Sequence, residues 1–173
     1  MSIPSAVSGY AAGIASVLGL SGAELESMRL VAVLHDIGKV TVPDRILRKA
    51  GPLTPEEFVV VAEHPIAGAR TLRRIEGMEE IAECVLRSHE HYDGSGYPDG
   101  MAGASIPFQS RILLVADAYD AMTSDRPYRS ALEHEQAMAE LRDLAGAQFD
   151  PDCVAALATY LDDRVMPSGE TAA

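Results

Sequence analysis

Apolar residues recur at helical spacing along nearly the whole chain. Positions 5–18 set small and apolar residues three to four apart, which predicts a first helix that Gly19 ends. Ser21 and Glu24 have the spacing of a capping box and open a second helix. Its apolar residues, Leu25, Met28 and the run Leu30 to Leu34, cover too wide an arc for a surface helix, so a central, buried helix is expected. That run closes on His35-Asp36-Ile37-Gly38-Lys39, and Pro43 marks an irregular connection. Thr54-Pro55-Glu56-Glu57 supplies a cap, a proline at the first helical position and a glutamate at the third. The helix it starts runs to Glu63, where His64-Pro65 interrupts it, because a residue before proline avoids the α region. Helix resumes to about Arg74, and positions 79–91 form another. Residues 93–107 hold four glycines and two prolines, which predicts an ordered loop between buried helices. Pro107 opens an apolar helix from Phe108 to Met122. Two more follow, Glu133 to Leu144 and Pro151 to Leu161, the latter capped by Asp150. No segment alternates as a strand would. The pattern is all-α: a single-domain bundle of about seven helices over residues 5–162, with 163–173 as a flexible tail and no internal repeat.

Composition sharpens this picture in three places. At 173 residues, 47% of them hydrophobic, the chain is long enough for one domain with its own core. Aromatics are only 5% and tryptophan is absent, which suits packed helices better than sheets. The formal charge of −12 argues against nucleic acid polymers and anionic membrane surfaces as partners, since both bind mainly through Lys and Arg. An anionic substrate would need local positive charge from metal ions or a few basic groups. No apolar run reaches about 20 residues and no basic, apolar leader opens the chain, so no membrane insertion and a cytoplasmic location are expected. Cys84 and Cys153 lie within apolar helical patterns and read as free, buried thiols.

The chemistry sits where ionisable residues break into apolar helices. His35-Asp36 closes the Leu30–Leu34 run, and Asp117 interrupts Ile112-Leu113-Leu114-Val115-Ala116. An unpaired buried carboxylate is costly, so each needs a cation or several donors. A divalent ion shared by His35, Asp36 and Asp117 would satisfy all three, and His64 and His89 stand at helix ends where they could join. Alone, each residue is more simply a hydrogen-bonded core group. Together they favour a metal cluster. Nitrogen and oxygen donors without thiolates suit Fe, Mn, Co, Ni or Zn.

These residues fall within an ordered series of motifs. His35-Asp36-Ile37-Gly38-Lys39 is followed by Pro43-Asp44-Arg45-Ile46-Leu47 and by Gly51-Pro52-Leu53-Thr54. Next come His64-Pro65, His89-Glu90 and Asp93-Gly94-Ser95-Gly96-Tyr97-Pro98-Asp99-Gly100. Ala116-Asp117-Ala118-Tyr119-Asp120-Ala121-Met122-Thr123, Asp125-Arg126-Pro127-Tyr128-Arg129 and Phe149-Asp150-Pro151 complete it. The series resembles the HD-GYP domain, an all-α branch of the HD phosphohydrolase superfamily whose best-known reaction is cyclic di-GMP hydrolysis. The resemblance implies two divalent metal ions, Fe or Mn first, held by His35, Asp36 and Asp117 on one side and by Asp36, His64 and His89 on the other. It implies hydrolysis of cyclic di-GMP to linear pGpG or GMP by a metal-bridging hydroxide, with Asp36 as the bridge, Lys39 facing phosphate, and Asp120 either orienting a neighbour or transferring a proton. Gly94 and Gly96 would allow positive φ and close backbone approach. Gly96, Tyr97 and Pro98 are then expected at the substrate. Tyr97 offers its ring to a guanine or its hydroxyl to a phosphate, unless it is a core residue of a plain turn. Arg126 and Arg129 either grip a phosphate or form surface ion pairs. His91 and His134 have no partner in the pattern and are expected at the surface. Implied partners are cyclic di-GMP, regulatory or GGDEF-type protein domains, and a second copy of the chain.

Two positions depart from the resemblance. Ser88 stands where the family has the first histidine of His-His-Glu. Ile3 falls where a ligating histidine of the first helix is expected. Both departures point to fewer ligands, and to a competing reading as a non-catalytic binding or interaction module. Counted along a helix from Ile81 and Val85, Ser88 is expected on the inward face.

Overall fold

The computed structural model describes residues 6–125 and 130–165, all in helices and the connections between them. Nine α-helices follow in order among these residues: α1 (Ala6–Val17), α2 (Gly22–Leu34), the single turn α3 (Asp44–Leu47), α4 (Pro55–Ala62) and α5 (His64–Leu72), then α6 (Glu79–Leu86), α7 (Phe108–Thr123), α8 (His134–Asp143) and α9 (Pro151–Val165). Short 3-10 turns at Ile37–Thr41 and Gly103–Ser105 join them. The described residues contain no β-strand, only two isolated bridges. The all-α expectation holds, with nine helices in place of about seven. Ile3 and Ser5, the pair Arg126 and Arg129, and the expected tail beyond Val165 lie outside the described residues.

The α1 helix runs through the centre and packs against α2, α7 and α9. Its Ala11, Ala12 and Ala15 are small enough for neighbouring backbones to come close, and all are buried. At Gly13 a Cβ would lie 2.4 Å from the Tyr160 ring of α9, so only glycine fits beneath that ring. The α7 helix supplies most of the rest, burying Ile112 through Ala116 without a break. The apolar run of α2 behaves otherwise. Met28, Val31 and Ala32 are buried, while Leu30 is 42% and Val33 is 59% exposed. Five consecutive apolar residues wrap around a helix, and with one face of α2 on the core two of them point outward. The helix is amphipathic, not enclosed.

The local signals at helix ends have mixed outcomes. Thr54 and Glu57 form the expected capping box, and Lys49 fastens Glu57 at 2.5 Å. Ser21 caps α2 by position only, with no side-chain bond. His64-Pro65 does break the chain of helix: α4 stops at Ala62 and α5 restarts at His64. The α6 helix ends at Leu86, five residues short of the expected limit, which puts Ser88, His89 and Glu90 in a turn. The α9 helix extends to Val165, past the expected end at Leu161.

Candidate metal centre

Helix ends deliver the histidines, and backbone carbonyls aim them. His35 follows the last residue of α2, and its Nδ1 lies 2.7 Å from the carbonyl of Ala32. A carbonyl only accepts, so Nδ1 carries the proton and Nε2 presents a lone pair. His64, the first residue of α5 and 1% exposed, is held alike by the Val61 carbonyl at 2.7 Å. The two Nε2 atoms lie 3.4 and 3.6 Å from one oxygen, Asp36 Oδ1. Asp117 Oδ1, from α7, approaches His35 Nε2 at 3.8 Å. His89 Nε2 meets His64 Nε2 at 3.3 Å. Four elements thus bring His35, Asp36, His64, His89 and Asp117 into one constellation.

Gly38 makes this convergence possible. A Cβ there would sit 1.9 Å from the carbonyl oxygen of His64 and 2.6 Å from the amide of Gly68. The 3-10 turn after Asp36 therefore lies directly on the backbone of α5, and contact between backbones sets the spacing between Asp36 and His64.

The protonation states follow from the surroundings. Burial lowers the His64 imidazole against the opposing pull of the Val61 carbonyl. Burial, then His64 and Lys39, pushes His89 down to about 3. For Asp36, burial raises the carboxyl but is outweighed by His35 and by the Lys39 ammonium, leaving it below the ordinary carboxylate range. Lys39 Nζ donates to Asp36 Oδ2 at 2.7 Å. The other oxygen, Oδ1, is buried without a hydrogen-bond partner, as is Ser88 Oγ. An anionic oxygen buried without a hydrogen-bond donor beside two imidazole Nε2 atoms is a place for a cation. No three His, Cys, Asp or Glu side chains already close around one point among the described residues. The pairs stand 3.3 to 3.8 Å apart. Donors about 2.1 Å from a shared tetrahedral ion are themselves about 3.4 Å apart, which is the spacing of these pairs. The donors fit a divalent ion. With Oδ2 accepting from Lys39, Oδ1 is the oxygen of Asp36 that would be wholly available to an ion.

Asp36 and Asp117 are less enclosed than their apolar neighbours in sequence suggest. Their side chains are 42% and 36% exposed, so the constellation opens to solvent on the carboxylate side.

The glycine-rich loop folds back on the chain that carries His89. Gly94 has a positive φ of 87°, but Gly96 does not. Gly96 is required by contact: a Cβ would lie 2.2 Å from the His91 amide and 2.5 Å from the His89 carbonyl. Its close approach is to the chain's own backbone. Tyr97, whose peptide to Pro98 is cis, then stacks on His89 with centroids 5.1 Å apart and planes 8° apart. Phe58 of α4 meets Tyr97 edge to face at 5.8 Å. Burial, then Asp117 and Asp36, pushes the Tyr97 phenol up to about 12. Glu90, 1% exposed, pins the loop by accepting the amides of Asp99 and Met101 at 2.8 and 2.9 Å. Arg87 reaches from the end of α6 to Glu83 and to Asp99. The contacts of Glu90, Arg87 and Phe58 around this loop are not legible in the sequence; for Glu90 and Arg87 the only signal is a charged residue close to His89.

Asp120 accepts a hydroxyl bond from Ser124 at 3.5 Å and raises the Tyr10 phenol, after burial. Ser88 is 2% exposed but follows α6 in a turn, so its inward position comes from chain reversal and not helical phase. His91 and His134 are half-buried and bonded, to Ser95 at 3.0 Å and to Tyr119 at 2.9 Å, so the expectation of surface histidines is corrected.

The chain resembles known proteins in sequence and in fold. Residues 2–153 match the HD-domain family. The chain is 44% identical over 146 residues to the cyclic di-GMP phosphodiesterase response regulator RpfG of Xanthomonas campestris, covering 83% of this chain and 39% of the relative. It is 35% identical over 158 residues to 3'3'-cGAMP-specific phosphodiesterase 2 of Vibrio cholerae, covering 90% and 30%. The chain spans about two fifths or less of the length of these relatives. Among solved structures, Bd1817, an HDG"Y"P protein from Bdellovibrio bacteriovorus, superposes with a TM-score of 0.72 at 20% identity over 91% of this chain and 50% of its own. The HD domain of L. monocytogenes PgpH with cyclic-di-AMP gives 0.64 at 17%, over 95% and 91%. At such identities the structures speak for the fold.

Proposed function

Because this chain belongs to the HD-domain family, we propose that it is an HD-GYP module, the hydrolytic part of a phosphodiesterase that opens cyclic di-GMP to linear pGpG or GMP. The observation that carries the reading is Asp36 Oδ1, buried and unpaired among His35 and His64. His35, Asp36 and Asp117 would hold one divalent ion and His64, His89 and Asp36 a second, with Fe or Mn first in expectation. Such ions supply the positive charge that draws electrons from a phosphodiester oxygen.

The chain's own groups prepare the site. The Ala32 and Val61 carbonyls fix the proton on Nδ1 of His35 and His64, keeping both Nε2 atoms available. Tyr97 holds the plane of His89. Lys39, 39% exposed by side chain, lies at the rim, where it can pass from Asp36 Oδ2 to a phosphate oxygen. Arg126 and Arg129 are proposed as further phosphate contacts, and Asp120 as an orienting or proton-transfer group. A cytoplasmic setting, regulatory or GGDEF-type partner domains and association as a homodimer belong to the same reading; no helix is long and apolar enough to cross a membrane among the described residues.

The test is metal analysis of the purified protein with turnover of cyclic di-GMP under Mn and Fe. Bound metal and a linear product are expected; a protein that takes up metal yet cleaves no cyclic dinucleotide would refute the hydrolytic reading. Ser88 favours one alternative. Its hydroxyl lies buried and unpaired where the family has an imidazole, so a weakened, binding-only module is the second reading.

A further inference from the structure

The α4 helix is unusual in burying none of its residues. Its Phe58 is 50% exposed and Val59 60%. The helix is nevertheless well anchored, by the Thr54–Glu57 capping box, by Lys49, and by the two-residue step from Ala62 into His64. Ring contacts place this half-exposed phenylalanine beside the constellation of Asp36. Phe58 is the outer end of an aromatic series. His64 meets His89 at 5.0 Å, His89 stacks on Tyr97 at 5.1 Å, and Tyr97 meets Phe58 at 5.8 Å. Tyr97 has one face against His89, and Phe58 stands across it at 84°. Tyr97 is therefore committed within the series, and Phe58 is the ring with open surface.

Resting on the reading as a cyclic dinucleotide phosphodiesterase, we infer that Phe58 is a base-stacking shelf: the residue on which one purine of the substrate lies while a phosphodiester reaches the constellation of Asp36. Three considerations support it. Every base has a π-face, and base–aromatic stacking needs no hydrogen-bond partner, so an unadorned phenylalanine suffices. The strongly acidic chain offers an anionic substrate little general attraction, so purchase away from the phosphates is needed. Finally, ring contacts at 5.8 and 5.1 Å link Phe58 through Tyr97 to His89, so a base on Phe58 would lie on the side of the site where His89 stands.

The experiment compares Phe58→Ala and Phe58→Trp with the parent, each with metal content and circular dichroism recorded, using cyclic di-GMP and the base-free diester bis(p-nitrophenyl) phosphate. Phe58→Ala is expected to raise KM for cyclic di-GMP by about tenfold or more with a much smaller change in kcat. Its preference for cyclic di-GMP over the base-free diester, as the ratio of kcat/KM values, should fall by a similar factor, and Phe58→Trp should restore both. Equilibrium binding of cyclic di-GMP, measured by calorimetry, should weaken in parallel even if turnover is slow. A parent-like KM and Kd in Phe58→Ala would overturn the shelf, as would a change confined to the sedimentation coefficient, which would make α4 a contact between copies. Failure of the parent itself to bind or cleave any cyclic purine dinucleotide would overturn the functional reading and the shelf with it. Parent binding that is unaffected by Phe58→Ala would overturn the shelf alone.

Discussion

Two imidazole nitrogens at 3.4 and 3.6 Å from one unpaired oxygen make Asp36 the residue on which the proposed centre would depend. Asp36→Ala should therefore reduce bound metal and turnover by about a hundredfold or more, since loss of a mere orienting group already costs about ten- to hundredfold. Metal analysis and initial rates check this. Gly38→Ala should act differently. Its methyl would have to displace the His64 carbonyl, so α5 shifts, and a cost of about 2–4 kcal/mol is expected from a lowered melting temperature. The third residue is Ser88. Replacing it by His puts an imidazole where a hydroxyl is buried without a partner, and metal should be retained about tenfold more tightly. Unchanged metal affinity in a folded Ser88→His would mean that position 88 faces away from the donors.

Elements account for how these side chains stay aimed. Loop 93–107 is held by Glu90, so Glu90→Ala strands two amides and should cost about 2–4 kcal/mol. Faster hydrogen exchange at Asp99 and Met101, with weaker metal binding through a loosened Tyr97 and His89, is the expected signature. Helices α6 and α9 bury Cys84 and Cys153, and burial pushes the Cys84 thiol up to about 11. Between an ordinary thiol near 9.0 and about 11, the native thiol keeps a proton that an unfolded one has lost. The native state then binds more protons, and its stability falls as pH rises through that window. A thiol reagent at pH 8 should accordingly modify the folded protein slowly and the denatured protein at both cysteines.

At the scale of the whole molecule, the donors come from positions 35 to 117 and meet only when the bundle is assembled. Anything that binds the assembled set stabilises the fold in proportion to the logarithm of its concentration over Kd. Adding Mn or Fe should raise the melting temperature, a chelator should reverse the rise, and Asp36→Ala should show neither. An equal metal-induced shift in Asp36→Ala would place the stabilising ion elsewhere.

Periodicity by itself determined that the chain is helical and where most helices lie, because a 3.6-residue repeat reports a buried face whatever that face packs against. The motifs likewise named His35, Asp36, His64, His89 and Asp117 as one set, since ionisable residues in apolar helices need a shared partner. What periodicity could not supply was which neighbour each face meets. Leu30 and Val33 read as core, yet they point outward because α1 and α7 already fill the centre. Gly38 read only as part of a motif and Gly96 as a position of positive φ or close backbone approach; the structure shows which backbone passes within a methyl's reach of each. Tyr97 read as a substrate contact, and its own pattern gave no sign that it also stacks on His89 and meets Phe58. Each difference has one physical cause: packing is settled between segments distant in sequence, and a residue's own pattern records that it is buried or free, not what it touches.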